Sequence, residues 1–182
     1  MKITVRLAAI GLFIFCVCRA HAGEFHGIPV REALTLNEGI NDIQVAGQTV
    51  RVIRAFVGTL TAHSYETYTS FVLPTHSAGT WARVLVDQPD GNSADLTTIE
   101  SADSMVQSVA VFMRKGVLFA VQATKTGAVM PALYLDRSTV TFKVFRFNGN
   151  RDMARFTQEQ RFESKEKYMN ADDALKKEFF VD

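Results

Sequence analysis

Short segments of alternating apolar and polar residues run along most of the chain, and this period of two is typical of β-strands. The clearest segment is 139–147, TVTFKVFRF, which puts apolar side chains on one face and a mixture of Thr, Lys and Phe on the other. Because Phe residues occupy both faces, we expect this strand to be covered on both sides. Segments 33–36, 68–73 and 81–86 also have strand patterns, and Trp81, at the head of the last one, is expected in the core.

Two hairpins are predicted where strand-like segments flank a turn that contains glycine. The flanking segments are 43–46 and 48–56 around Gly47, and 106–113 and 117–123 around Arg114, Lys115 and Gly116. Strands joined by such short turns pair in the antiparallel sense.

In the C-terminal third, the residue pattern does not decide between strand and helix. Segment 155–168 fits a charged strand and a solvated helix equally well. After it, Asn170 followed by Asp172 and Asp173 has the composition of a helix N-cap with acids in the first turn. The pattern therefore predicts a mostly β protein, an antiparallel β-sandwich with a short terminal α-helix.

The first 22 residues have the layout of a secretory signal peptide. Lys2 and Arg6 precede an apolar run at 7–18, and Ala20-His21-Ala22 gives an A-x-A cleavage site. The run is too short for a membrane-spanning helix, which needs about 20 apolar residues. We expect cleavage after Ala22, export to the periplasm, and a single β-sandwich domain over residues 23–182.

Cleavage changes the composition of the mature chain. Cys16 and Cys18 are both removed, so no disulfide can form and stability has to come from a hydrophobic core. Three of the 20 basic residues and none of the 19 acidic residues are lost, which leaves a slightly acidic protein. Such a charge gives no general attraction to nucleic acid or to anionic lipid.

The richest cluster of chemical groups lies within residues 59–74, TLTAHSYETYTSFVLP. It brings an imidazole, phenols, hydroxyls and a carboxylate together, in His63, Ser64, Tyr65, Glu66 and Tyr68. No nucleophile is set beside a base in a known catalytic pattern, so we interpret the cluster as a recognition surface. The alternative is that its hydroxyls bond the local backbone and its tyrosines are half-buried at a sheet edge.

Three fragments of the penicillin-recognising serine-enzyme signature occur in the sequence. They are Ser164 with Lys167, Tyr168 with Asn170, and the run Lys125-Thr126-Gly127. The third fragment precedes the first, whereas the enzymes have the opposite order, and the first two adjoin instead of facing each other across a cleft. We therefore expect no serine chemistry and, more generally, no enzyme.

Metal ligands are sparse. His26, His63 and His76 have no zinc-site spacing. A loop rich in oxygen donors is a candidate site for a hard cation, with Asp87, Asp90, Asn92 and Asp95, although these do not keep the EF-hand spacing. The alternative is a solvated loop without a metal, so no cofactor is assigned with certainty.

A family resemblance extends over nearly the whole mature chain. It is carried by INDIQVAGQTVRVI (40–53), TAHSYETYTSFVL (61–73), Trp81 before a strand, ESAD (100–103), YLDRSTVTFKVFRF (134–147) and NADDALKKEFF (170–180). Together these stretches resemble the CarG-type carbapenem intrinsic-resistance (self-resistance) proteins of Gram-negative bacteria. The resemblance implies a periplasmic β-sandwich with short terminal helices that protects against a carbapenem by a mechanism not known to be hydrolysis, with a bound cation as an option.

The same resemblance is compatible with more than one function. Its fold is shared with periplasmic inhibitors of invertebrate-type lysozyme, which insert a Ser-Gly-x-Tyr loop into the enzyme, and the nearest stretches here, 63–65 and 77–80, do not reproduce that loop. We expect a non-enzymatic periplasmic protein that protects the cell from a β-lactam by binding. The alternatives are inhibition of a lysozyme-like lytic enzyme and an undiscovered hydrolase activity. Candidate partners are a periplasmic or cell-wall protein, the carbapenem, and a second copy of the chain.

Overall fold

The structure is a computed structural model, and it describes residues 25–76, 78–88, 91–149 and 153–182. The signal-peptide prediction for residues 1–22 lies outside these ranges. The strands are β1 (Ile28–Pro29), β2 (Gly39–Val45), β3 (Gln48–Val57), β4 (Tyr65–Val72), β5 (Ala82–Gln88), β6 (Gly91–Ser93), β7 (Leu96–Thr97), β8 (Ile99–Glu100), β9 (Met105–Arg114), β10 (Val117–Thr126), β11 (Thr139–Asn148), β12 (Arg155–Glu163) and β13 (Phe180–Val181). The helices are a 3₁₀ turn (Val30–Glu32), α1 (Ala132–Leu135), and α2 (Ala171–Ala174), which continues as a π-helical turn (Leu175–Phe179).

Hydrogen bonds join most of the strands into one long sheet. Its order is β2-β3-β4-β5-β12-β11-β10-β9-β8, with β6 added to β5 and β7 added to β4. The pairings among these described strands are antiparallel except for a short parallel contact between residues 85–87 of β5 and 155–157 of β12. The separate pair β1–β13 is also parallel and brings the two ends of the domain together.

Both predicted hairpins are confirmed. Ala46 and Gly47 connect β2 to β3 with φ values of 49° and 80°, and Lys115 and Gly116 connect β9 to β10 with φ values of 50° and 76°. Two successive positive φ values match the right-handed twist of the flanking strands, and glycine at the second position adopts one without strain.

The expected β-sandwich arises because the long sheet folds over on itself. Strands β2–β5 and β9–β12 contribute side chains to one shared hydrophobic cluster, in which Val50, Val52, Val84, Leu118 and Phe145 are each at most 1% exposed. This cluster forms the interior between the two halves of the sheet, which pack as two layers around one core.

A second hydrophobic cluster covers the outer face of β9–β11. Phe25 and Ile28 from the N-terminal side and Phe179 from the C-terminal helix pack there with Phe112 and Phe142. Strand β11 is therefore covered on both faces, as its sequence predicted, and the short terminal helix is present.

Several local predictions needed correction. Segment 33–36 is not a strand, because only Ala33 forms an isolated bridge to Phe112. Trp81 is not a core residue: it lies just before β5 and is 43% exposed. Asn170 is the N-cap residue of α2 with Asp172 and Asp173 in the first turn, as predicted, but its side chain makes no capping bond, since Oδ1 accepts a hydrogen bond from the backbone of Met105 at 2.9 Å.

Segment 155–168, which fitted a strand or a helix, forms β12 as far as Glu163. Among the described residues, no helix has the length and apolar composition that crossing a bilayer requires.

Candidate functional site

The structure divides the predicted recognition cluster between two environments. Strand β4 begins at Tyr65, and alternation along the strand places Glu66 and Tyr68 on one face and Tyr65 on the other. His63 and Ser64 precede the strand, where His63 is exposed and Ser64 is half-buried. The five residues therefore do not all lie on one surface.

Glu66 and Tyr68 belong to a partly buried polar network. The carboxylate of Glu66 receives two hydrogen bonds from Arg54, at 2.5 Å and 3.2 Å, and a third from the phenol of Tyr68 at 2.7 Å. Arg54 also donates to the backbone oxygen of Leu36 at 2.9 Å. Tyr68 is only 8% exposed and packs in the central cluster. These contacts fix β3 against β4. They also occupy most of the hydrogen-bonding positions of the Glu66 carboxylate, so few are left for a ligand.

The protonation states in this network follow from the same contacts. Burial alone would raise the pKa of Glu66, but the hydrogen bonds from Arg54 and Tyr68 outweigh it and lower that pKa below its usual value. The pKa of Tyr68 is raised, first by burial and then by the neighbouring carboxylate. The network therefore holds an ionised carboxylate against a protonated phenol.

His63 and Tyr65 line a surface groove of about 380 Å³ together with the chain from Thr97 to Glu100. This chain is held to β4 because Glu66 N donates to Thr98 Oγ1 at 2.8 Å and Thr98 N donates to the oxygen of Glu66 at 2.9 Å. The His63 ring also lies 6.3 Å from the ring of Tyr134 in helix α1.

The groove offers two aromatic rings, the side chain of Ile99, which is 44% exposed, and the carboxylate of Glu100. Such a mixture of rings and one charge suits recognition of a partly apolar partner. Among the described residues that line it, no hydroxyl is hydrogen-bonded to the His63 ring as a nucleophile would be to its general base.

Two of the four predicted cation ligands have arginine partners. Asp87 forms an ion pair with Arg155 at 3.0 Å, and Asp95 forms one with Arg83 at 2.9 Å. Asn92 lies opposite Asp87 in the β5–β6 pair, and Asp90 lies outside the described residues. In the part of the chain that the structure describes, no group of three His, Cys, Asp or Glu side chains is close enough to hold a metal. The cation site stays a prediction, in which the metal would compete with these arginines.

In the serine-enzyme fragments, the side chains of Ser164 and Lys125 are hydrogen-bonded to the backbone. Ser164 Oγ accepts a hydrogen bond from the backbone of Val140 at 2.9 Å and donates to the oxygen of Glu166 at 2.6 Å. Lys125 is 2% exposed, donates to the backbone oxygen of Asp136 at 3.0 Å, and has its pKa lowered by burial. These contacts close the turn after β12 and fix the end of β10.

Sequence reasoning missed a second cavity between the two layers. This cavity has a volume of about 370 Å³ and is lined mainly by polar side chains, including Gln107, Gln122 and Lys143. The available signal was the presence of Lys143 on the same face of segment 139–147 as Phe145 and Phe147. A polar residue in line with core residues indicates the point at which a core ends or opens.

Comparison with known proteins finds a likeness to a solved structure and no match by sequence. No family model matches the chain, and no curated protein matches it. Among solved structures, the crystal structure of CarG is similar, with a TM-score of 0.67 and 22% sequence identity over 82% of this chain and 95% of that chain. At this level of identity the likeness concerns the fold. The chain therefore has a β-rich, CarG-like fold.

Proposed function

We propose that this protein is exported to the periplasm and protects the cell against a carbapenem β-lactam by binding, without hydrolysing the drug. The observation that carries the proposal is the CarG-like fold, which extends over 95% of the CarG chain. The stretches that resemble carbapenem intrinsic-resistance proteins support the same assignment. The binding partner is either the drug or a periplasmic or cell-wall protein that the drug affects.

The environment of the polar residues supports binding over catalysis. Ser164 is engaged in two turn hydrogen bonds, and the amine of Lys125 is engaged with a backbone oxygen. By contrast, the groove beside His63 and Tyr65 leaves aromatic surface accessible. Aromatic side chains supply contact area with few rotatable bonds, so they lose little entropy when a partner binds.

The test combines a cellular and a chemical measurement. The gene with its own signal segment is expressed in a carbapenem-sensitive Gram-negative host, and the inhibitory concentration of the drug is compared with that of an empty vector. The purified mature protein is then incubated with the drug, whose loss is followed by ultraviolet absorbance. We expect protection without turnover. Turnover would identify a hydrolase, and unchanged sensitivity would contradict the proposal.

Variants locate the contact surface. The double variant His63→Ala/Tyr65→Ala should lose protection while keeping its fold by circular dichroism. His76→Ala is the matched control, because it removes another exposed imidazole in a loop outside the groove. If the double variant protects as well as the control does, the groove is not the contact surface. Addition of the protein to an invertebrate-type lysozyme assay tests the alternative, since inhibition there would favour a lytic-enzyme inhibitor.

A further inference from the structure

The interior between the two layers changes from apolar to polar along β10 and β11. Alternation puts Gln122 on the face of β10 that carries Leu118 and Ala120, and both of these lie in the central cluster. On β11, Lys143 shares a face with Phe145 and Phe147, and both of these lie in the central cluster. The two polar side chains are register partners across the strand pair, so they meet where the apolar core ends.

The cavity lies at this transition. Gln107, Gln122 and Lys143 line one side, and Ser93, Asp95 and Thr97 from the β6–β7 segment line another. Its volume of about 370 Å³ lies within the range of small-molecule sites. Thr97 also lines the groove beside His63, so the two cavities adjoin at β7.

Gln122 carries an unpartnered amide into this cavity. Gln122 as a whole is only 5% exposed, and the described parts of the chain provide no hydrogen-bond partner for its side-chain amide. Gln107 differs, because its Nε2 donates to the oxygen of Thr97 at 2.7 Å and its Oε1 accepts from Thr124 at 2.9 Å. The Gln122 amide is not one of the fully buried unpartnered groups of the described chain, so its atoms face the solvent of the cavity that it lines. Gln122 therefore has a donor and an acceptor available for a guest in the cavity.

Lys143 supplies a positive charge beside this amide. Its register partner on the other side is Arg161, so two cations lie opposite each other on adjacent strands. Neither forms an ion pair with any carboxylate in the described ranges. The acid that lines the cavity, Asp95, is already paired with Arg83. Like charges in opposed positions repel, and an anion between them relieves that repulsion.

We propose that this cavity, named here the polar cleft, binds a small carboxylate that carries an amide or lactam carbonyl beside it. Lys143 contacts the carboxylate, with Arg161 adding to the positive potential, and the Gln122 amide pairs with the carbonyl group. Two sources share this chemistry, namely a β-lactam nucleus and the terminal dipeptide of a cell-wall peptide. The proposal goes beyond protection itself, because it concerns binding by the purified protein and holds whether or not the cell is protected.

The test is a titration of the purified, ¹⁵N-labelled mature protein. The probes are intact imipenem, N-acetyl-D-alanyl-D-alanine, and the same dipeptide with its carboxylate capped as an amide. Binding is followed through the side-chain NH₂ signal of Gln122, with that of Gln107 as a reference held by hydrogen bonds. We expect a saturable shift of the Gln122 signal with at least one of the carboxylate probes and none with the capped dipeptide.

Variants assign the contacts. Lys143→Met and Gln122→Leu should each weaken binding by about tenfold or more, the loss expected when a charge-assisted or buried hydrogen bond is removed. Lys167→Met is the matched control, because it removes the same charge from an exposed site. If a variant fails to fold, the carboxylate and capped probes on the unmodified protein still decide the question.

The outcomes are distinct. Binding of imipenem alone assigns the polar cleft to the drug, and binding of the dipeptide alone assigns it to cell-wall peptide. The proposal is overturned if neither carboxylate probe gives a saturable shift, if the capped dipeptide binds equally well, or if folded Lys143→Met binds as tightly as the unmodified protein. In the first of these cases the polar cleft holds only water. Protection measured in cells is a separate result, so either proposal can fail alone.

Discussion

Tyr68 and Glu66, two residues apart on β4, are joined by a hydrogen bond of 2.7 Å in which the phenol donates to Oε2 of the carboxylate. The same carboxylate is held by Arg54 of β3. This arrangement engages two of the five residues predicted for recognition in contacts within the sheet, whereas His63 and Tyr65 line the groove. If the groove is the contact surface, as proposed, this short stretch of sequence serves stability at one pair of residues and binding at the other.

Tyr68→Phe should lower the free energy of unfolding by about 1 kcal/mol, because it removes one hydrogen bond to a carboxylate that keeps its bonds to Arg54. Tyr68→Ala should cost about 3–5 kcal/mol, since it also empties a place in the core. Urea denaturation midpoints measure both effects. Tyr65→Phe is the matched control: its phenol has no hydrogen-bond partner among the described residues, so its midpoint should stay unchanged. Equal losses at positions 65 and 68 would contradict the division.

Stability should fall in acid because of Glu66. Its folded-state pKa lies below the ordinary value of 4.5, so the network contributes its full stabilisation above that value and loses it as the pH falls through the lower, folded-state pKa. Asp42, held by Arg51, titrates in the same direction. The informative measurement is therefore the difference in unfolding free energy between the unmodified protein and Glu66→Gln, followed from pH 7 downwards. That difference should shrink in acid, and a constant difference would show that Glu66 is not the group responsible.

Local chemistry and strand period predicted much of this fold, and long-range contacts account for most of what they missed. Gly47 and Gly116 mark their turns because each permits a positive φ at a position that requires one. Asn170 has the composition of an N-cap, but its side chain bonds the backbone of Met105, a partner 65 residues away that no local pattern indicates. The contact between β5 and β12 is equally remote in sequence.

The candidate site was harder to predict than the fold. The cluster at 63–68 was recognised from residue types, but its division depends on which face of β4 is turned inward. The polar cleft requires knowledge of what lies opposite Gln122, which only the stacking of the two layers provides. A glutamine inside a strand is uninformative until the strand on the facing layer is known.

Trp81→Ala should destabilise the protein much less than truncation of a core aromatic residue. The indole is 43% exposed, with the Arg51 guanidinium 4.6 Å from the ring centroid and the Phe71 ring 5.7 Å away. Loss of such exposed contacts costs about 1–2 kcal/mol. Phe145→Ala, at a site with 0% exposure, should cost about 3–5 kcal/mol. Thermal unfolding of the two variants under one condition compares them, and a larger loss for Trp81→Ala would show that the indole is buried in solution.

The exported protein should begin at Gly23 and show the same unfolding midpoint with and without a reductant. The reason is the Ala20-His21-Ala22 site and the position of Cys16 and Cys18 before it. Intact-mass spectrometry of protein recovered from the periplasm measures the start directly. A mass that includes Cys16, or that of a lipid adduct, would contradict cleavage at this site.

Ser164→Ala should leave any carbapenem protection intact and lower stability modestly. Its hydroxyl accepts a hydrogen bond from the backbone of Val140 and donates one to the oxygen of Glu166, so its role is to close the turn that follows β12. Removal of such a group costs about 1–2 kcal/mol, since the partners become more exposed to water but are not left deeply buried. The measurements are the unfolding midpoint and the inhibitory drug concentration for the same variant. Ser164→Thr, which keeps the hydroxyl, is the control and should restore part of the lost stability. Loss of protection in a folded Ser164→Ala protein, with activity kept in Ser164→Thr, would mean that the hydroxyl takes part in chemistry and that serine catalysis was rejected wrongly.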